Sequence, residues 1–243
     1  MTAWPAGYRR KDYAELDSTN EEARRLAEAG EGVPLWIMAA RQTAGRGRRG
    51  RAWDTPAGNF AATLLLRLEA PQATTGQLSF AAALAAAEMV QHFAPAAAVT
   101  VKWPNDVLAE GRKIAGILLE GGTAKSGRWL AIGIGINLAH HPEGTAFPAT
   151  ALPQLGIAPP SCDAALTILA ARFAHWYDAW MEEGFETLRA AWLKRASGLG
   201  APITARLPHE TRRGMFEGID ASGALLLKEE TGVHAIAAGE VFF

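Results

Sequence analysis

Two hydrophobic periods alternate along the chain, and the switches between them lay out its elements. DSTNEEARRLAEAG (17–30) carries helix-start signals, with Ser18 or Thr19 as N-cap, Glu21 or Glu22 as the capping-box partner, and Gly30 as the stop. PLWIMAA (34–40) is a short apolar run between Pro34 and an arginine-rich stretch, and predicts a buried strand. NFAATLLLRLE (59–69) predicts another. LSFAAALAAAEMVQHF (78–93) is made of strong helix formers with no breaker and predicts a helix, with Pro95 beyond its end. VTVKWP (99–104) opens as a β-branched strand that Pro104 stops. KIAGILLEGG (113–122) and RWLAIGIGINLA (128–139), joined by the polar TAKSG, predict a hairpin.

Residues 163–197 read as two helices broken near Gly184, and the aromatics of HWYDAW (175–180) fall at helical spacing, as core residues do. Beyond them the period changes. PITARL, RRGMFEGID, GALLLKEE and VHAIAAGEVF are short strands separated by Gly and Asp turns, a small all-β module. The switch near Gly198–Gly200 sets the expected boundary between a unit of residues 1–198 and a module of residues 199–243.

Composition then narrows the class. A formal net charge of −1 and a pI near 6.6 argue against a generally basic, nucleic-acid-binding surface. The single cysteine, Cys162, lies in PPSCD without a neighbouring base; it excludes an internal disulfide and fits a structural role in a reducing compartment. No apolar run reaches the roughly 18 residues of a membrane span, and the N-terminus lacks a signal-peptide core, so the expected location is the cytoplasm.

Against that neutral background, residues 41–53 hold five arginines, three glycines and no carboxylate. GRGRRG (45–50) matches the G-x-G-x-x-G spacing, and Glu69 falls about 20 residues on, where a dinucleotide site places its acid. The context rejects that reading, because the third glycine should open a helix and Pro56 and Gly58 forbid one. A mobile anion-binding loop fits better: glycines let backbone amides approach an anion, and guanidinium forks suit phosphate or carboxylate. A solvated basic loop is the competing reading. Trp53 beside the loop could cover an adenine ring or fill the core.

Four further stretches carry chemistry. VKWPNDVL (101–108) reads as a strand ending in a turn that points Asn105 and Asp106 into a cleft. There Asp106 suits Mg²⁺, Asn105 a nucleobase edge and Lys102 a phosphate; a plain Asn-Asp turn is the alternative. RKIAGILLE (112–120) opens with Lys113 and holds Gly116 where a ligand or backbone comes close. GIGINL (133–138) ends an apolar strand on Asn137, and DSTNEE is explained equally well by capping. His140 and His141 complete no zinc spacing, and no HExxH, CxxC, P-loop or G-x-S-x-G motif occurs.

Taken in order, STN, QTAGRGRRGRAW, KWPND, KIAGILLE and GIGIN resemble the biotin protein ligases (biotin–[acetyl-CoA-carboxylase] ligases). The resemblance covers residues 13–140 by motif and the rest by architecture. It implies an α+β fold, a mixed sheet with flanking helices related to class II aminoacyl-tRNA synthetases and lipoate ligases, plus a C-terminal SH3-like β-barrel. It also implies a reaction: biotin and MgATP give biotinyl-5′-AMP and pyrophosphate, and a lysine of a biotin carboxyl carrier protein then takes the biotin. Carried over by motif, Ser18, Thr19, Asn20, Gln42, Gly45, Arg46 and Gly116 surround biotin's rings. Arg48, Arg51 and Lys113 hold the biotin carboxylate and the α-phosphate, with Lys113 as the main catalytic charge. Trp53, Asn105 and Asn137 contact adenine, Lys102 joins the nucleotide side, and Asp106 organises Mg²⁺. Arg49 is left to solvent or a neighbouring subunit.

Only about 17 residues precede STN, where many relatives carry a winged helix-turn-helix, so the expectation is no specific DNA binding. The chain stops at EVFF where some relatives continue with a polar or basic tail. Homodimers are common in the family, and nothing in this sequence fixes one. A lipoate or octanoate ligase of the same fold is the alternative enzyme, and a polyanion-binding module the alternative class.

Overall fold

The computed structural model describes residues 3–68 and 72–243. Glu69, the acid of the rejected dinucleotide pattern and the last residue of one expected strand, lies outside them. Seven strands form the first sheet: β1 (Arg9–Tyr13), β2 (Leu35–Ala39), β3 (Phe60–Arg67), β4 (Val99–Lys102), β5 (Asp106–Ala109), β6 (Arg112–Ala124) and β7 (Gly127–Ile136). Their spatial order is β1-β2-β3-β7-β6-β5-β4. β1 and β2 pair in parallel and every other neighbouring pair is antiparallel, so the sheet is mixed.

Period-two alternation decides what each face carries. In β3, Phe60, Ala62, Leu64 and Leu66 enter the main core, whereas Thr63 and Leu65 face the opposite side. In β7, Ile132, Ile134 and Ile136 enter the main core, which leaves Gly133 and Gly135 on that second face. Over the main-core face lie α2 (Leu78–Phe93), α3 (Cys162–Glu183) and α4 (Phe185–Lys194). α2 is apolar nearly all round, as a helix clamped between a sheet and other helices must be. Gly184, at φ +80°, makes the break between α3 and α4. The aromatics lock this layer edge to face, with Trp36 against Phe173 at 6.1 Å and Phe80 against Phe185 at 5.1 Å.

The second face is covered only in part. α1 (Thr19–Glu28) seals one end with Ala23 and Ala27 against Leu35, Ile37, Leu65 and Ala131. Beyond α1 the face stays open, and that opening is the site.

Five antiparallel strands form the second sheet, in the order β11-β10-β9-β8-β12: β8 (Pro202–Arg206), β9 (Thr211–Ile219), β10 (Leu225–Glu229), β11 (Gly232–Ile236) and β12 (Glu240–Phe242). Its buried residues continue the main core. Trp103 Nε1 donates to the Gly223 carbonyl at 3.1 Å and Arg189 to that of Ile219 at 2.9 Å, fixing the module against the first sheet.

Two strands escape the hydrophobic pattern. β1, RRKDY, has no buried residue and owes its extension to pairing with β2. β5, DVLA, is four residues long and begins at Asp106, inside what reads as a turn. The capping box does not form either. Ser18 occupies the N-cap position without a side-chain bond, and Glu21 and Glu22 pair with arginines instead.

A cation-lined candidate active site

A cavity of about 520 Å³ opens on the second face of the sheet, between α1, residues 42–53, the 142–149 segment and the β8/β12 wall. Its size is that of a pocket for a cofactor-sized ligand. Except for Gly45, all the candidate residues drawn from the sequence line it: Ser18, Thr19, Asn20, Gln42, Arg46, Arg48, Arg51, Trp53, Lys102, Asn105, Asp106, Lys113, Gly116 and Asn137. Gly45 stands just behind. A Cβ there would run into the Trp53 carbonyl and come within 2.8 Å of Gln42 Nε2, so this position admits only glycine.

The α1 end is a closed polar network. Gln42 Oε1 accepts from the Thr19 backbone N–H at 2.8 Å and from its hydroxyl at 3.1 Å, while Gln42 Nε2 donates to Thr55. Thr63 Oγ1 lies 2.8 Å from Thr19 Oγ1 and 2.6 Å from Asn20 Oδ1. Asn20 Nδ2 donates to Glu120 at 2.8 Å. Buried polar groups satisfied this completely hold fixed rotamers, which presents donors and acceptors at set positions.

The floor is backbone. Gly116 of β6 and Gly135 of β7 are register partners, and the Trp53 indole rests on both. A Cβ on Gly116 would stand 3.2 Å from the ring, and one on Gly135 would overlap it. A Cβ on Gly133 would overlap Asn20. Gly133 and Gly135 are absent from the sequence-derived candidates, although GIGI alternates glycine with isoleucine at the strand period, the signature of one bare face.

At the centre stands Asp106, 7% exposed. Lys113 Nζ lies 2.6 Å from Oδ1 and Lys102 Nζ 3.3 Å from Oδ2. Burial alone would raise this carboxyl; Lys113 and Lys102 outweigh it and hold it below the usual carboxylate range. Burial holds the Lys102 ammonium below its usual value against the pull of Asp106. The cleft position expected of Asp106 is therefore real, but its occupation differs from the expected one. Both oxygens serve ammonium groups, and the described residues contain no cluster of three metal-ligating side chains. A Mg²⁺ at this place would share the single carboxylate with Lys113 and Lys102 and complete its shell from phosphate oxygens and water.

The arginines are not without partners in the chain. Arg46 pairs with Glu120 at 3.0 Å and Glu21 at 3.2 Å, Arg41 with Glu15, and Arg51 and Arg49 with Glu240 of β12. Among the described residues Arg48 makes no ion pair; it donates to Asn105 Oδ1 at 3.2 Å and to the Gly239 carbonyl at 3.4 Å. Burial, and then Arg49 and Arg51, hold it below the usual guanidinium value. The stretch is folded back on itself, with Gly47 N–H to Arg51 O and Trp53 N–H to Gly45 O. Asn105 donates to the Ile117 carbonyl, and Asn137 to that of Thr150 at 3.1 Å, so Asn137 fastens the segment behind Lys113. Cys162 stays out of the cavity, half-buried with its thiol pushed up by burial.

Glu120, Thr63 and Phe147, and the whole β8/β12 wall with Arg206, Glu240 and Phe242, were not legible as site residues. Their neighbours in sequence are ordinary strand or loop residues, and only the fold brings them here.

This arrangement, a mixed sheet carrying one cation-lined cavity closed by a glycine-rich loop and a β module, defines a class of ligase folds. The model of the biotin/lipoate A/B protein ligase family matches residues 15–137, and that of the biotin protein ligase C-terminal domain matches residues 198–243. A biotin–[acetyl-CoA-carboxylase] ligase of Paracoccus denitrificans is 46% identical over 95% of this chain and 98% of its own length. The bifunctional ligase/repressor BirA of Bacillus subtilis is 33% identical, over 93% of this chain and 71% of its own length. The structure of an Aquifex aeolicus biotin protein ligase in complex with biotin and ATP superimposes with a TM-score of 0.83 at 27% identity, covering 96% of this chain and 97% of that one. The chain belongs to the biotin protein ligase family.

Proposed function

We propose that the chain activates biotin with MgATP to biotinyl-5′-AMP and transfers the biotin to a lysine of a biotin carboxyl carrier protein. One observation carries the reading: the cavity joins a hydrogen-bonded polar end to a cluster of cations around a single carboxylate. The first half-reaction brings two anions together, a carboxylate and an α-phosphate. Lys113, Lys102 and Arg48 offset their repulsion and stabilise the charge that builds on the phosphoryl oxygens. The network of Thr19, Asn20 and Gln42 supplies the directional contacts a ureido ring needs, and holds the carboxylate end toward Lys113.

Trp53 lies on its glycine floor within the cavity lining, where its ring offers a bound adenine an aromatic surface. Arg48 and Arg51 reach the phosphates when the loop closes. Mg²⁺ arrives on the nucleotide and shares Asp106 with the two lysines, which that carboxylate also orients. The reaction belongs in the cytoplasm with ATP and the carrier. Among the described residues no helix is long and apolar enough to cross a membrane. A net charge of −1 gives the proposal no call for DNA.

Incubating the protein with biotin, MgATP and a carrier domain should release pyrophosphate and label the carrier. Turnover with lipoate or octanoate in place of biotin, and none with biotin, would assign the alternative acyl substrate of the same fold.

A further inference from the structure

The C-terminal module turns one wall toward the cavity. β12 pairs with β8 so that Glu240 stands opposite Arg206 and Phe242 opposite Thr204. Strand alternation sends Val241 and Ala205 into the module's interior, at 2% and 0% exposure, and Glu240, Phe242 and Arg206 to the cavity. An arginine directly across an antiparallel pair from a glutamate ordinarily bonds to it. Here the loop arginines Arg51 and Arg49 take Glu240, and Arg206 sits over the Phe242 ring, its Cζ 4.7 Å from the centroid.

The cavity cations can be matched to their anions. Lys102 and Lys113 share Asp106, Arg46 has Glu21 and Glu120, and Arg51 has Glu240. Among the described residues, Arg48 and Arg206 are the cavity-lining cations with no carboxylate partner. A row of neighbouring groups leads from Trp53 across the cavity to Arg206. Lys113 Nζ is 5.6 Å from the Trp53 ring and touches Asp106. Asp106 holds Lys102, which lies 6.0 Å from the Phe242 ring that carries Arg206.

On the ligase reading, which this inference extends, we propose that Arg206 holds the β- and γ-phosphates of ATP and the pyrophosphate they become. In the adenylation step the biotin carboxylate oxygen bonds to the α-phosphorus. The bond from that phosphorus to the bridging oxygen breaks on the opposite side, and its electron pair leaves on pyrophosphate. The carboxylate comes from the α1 end and the α-phosphate sits by Lys113 and Arg48. In-line displacement therefore sends the leaving group toward the β8/β12 wall. A guanidinium seated over an aromatic face keeps N–H groups free for phosphate oxygens, which suits a leaving group as highly charged as pyrophosphate.

The test separates the half-reactions in the full chain with Arg206→Ala. The KM for ATP in biotin-dependent pyrophosphate release should rise about tenfold or more, the loss of one charge-assisted contact. Inhibition by added pyrophosphate should weaken in step. Transfer from preformed biotinyl-5′-AMP to the carrier should keep its rate, because no triphosphate is present, and Arg206→Lys should recover part of the ATP affinity. An unchanged KM for ATP, or an equal loss in both half-reactions, overturns the assignment. Absence of biotin-dependent pyrophosphate from the unaltered chain would instead remove the ligase reading, and this inference with it.

Discussion

Lys113 and Asp106 form an ion pair at 2.6 Å inside the cavity, and the other oxygen of that carboxylate holds Lys102. One buried anion thus fixes two cations at the place where phosphate charge would develop. Lys113→Ala should slow adenylate formation by about 10²–10³-fold, the range for losing one preorganised charge at an oxyanion. Biotin affinity should largely persist, since the α1-end network stays intact. Single-turnover pyrophosphate release and equilibrium biotin binding separate the two; an unchanged adenylation rate would remove Lys113 from the chemistry.

The same pair sets an acid limit. A carboxyl held below its usual value binds fewer protons folded than unfolded. Its contribution is fully present above the unfolded pKa of about 3.9 and is lost as pH falls through the folded value. Asp17, lowered to about 2 chiefly by its bonds to Arg25, acts in the same direction. Stability should therefore fall below about pH 4, and Asp106→Asn should flatten part of that limb while leaving two buried lysine charges short of a partner at neutral pH. Urea midpoints of both proteins from pH 3 to pH 7 check this; parallel curves would mean the carboxylate adds nothing.

Glu120 gathers Arg46 and Asn20, one from the loop and one from α1. Glu120→Gln keeps the shape and removes the charge. It should raise the KM for biotin about tenfold with a smaller effect on kcat, since the contribution is positioning. A kcat loss without a KM change would place Glu120 in the chemistry instead.

Trp53 needs a floor without side chains. Gly135→Ala would put a methyl where the indole lies, and Gly116→Ala would crowd it at 3.2 Å. The first should displace the ring, shift its fluorescence toward that of a solvated indole and weaken adenylate retention; the second should do less. Equal spectra for Gly135→Ala and the unaltered protein would show that the ring does not rest there in solution.

The loop itself should tighten over ligand. Trypsin cleavage at Arg46–Arg51 should slow when biotin and ATP are both present, as the Glu240 pairing is supplemented by phosphate contacts. The same cleavage rate with and without ligands would argue that the loop is already as closed as it becomes.

Elements with strong periodicity are legible in the sequence. The α2 run of helix formers and the 113–139 hairpin are formed where the pattern places them. β1 is not, because its extension comes from a neighbour and not from its own residues. β5 was hidden by the turn-forming Asn-Asp pair at its start. At the site, the motif residues were visible as types but not as partners. The stretch 41–53 contains no carboxylate, which suggested that its arginines wait for a ligand. Glu120 and Glu240 supply that charge from far along the chain, and only tertiary structure shows it. The capping box failed for a related reason: the Ser18 backbone N–H that a glutamate would bind goes to Asp17, and Glu21 and Glu22 pair with arginines.

The glycines facing the cavity from β6 and β7 bear on any attempt to harden this protein. Strand interiors reward β-branched residues, and glycine there weakens them, so a propensity-guided redesign would fill positions 116, 133 and 135 first. Such a variant would gain strand propensity and lose it again to the clash of the new side chains with Trp53 and Asn20. At these three positions packing and catalysis both ask for glycine, and heat resistance has to be sought elsewhere in the chain.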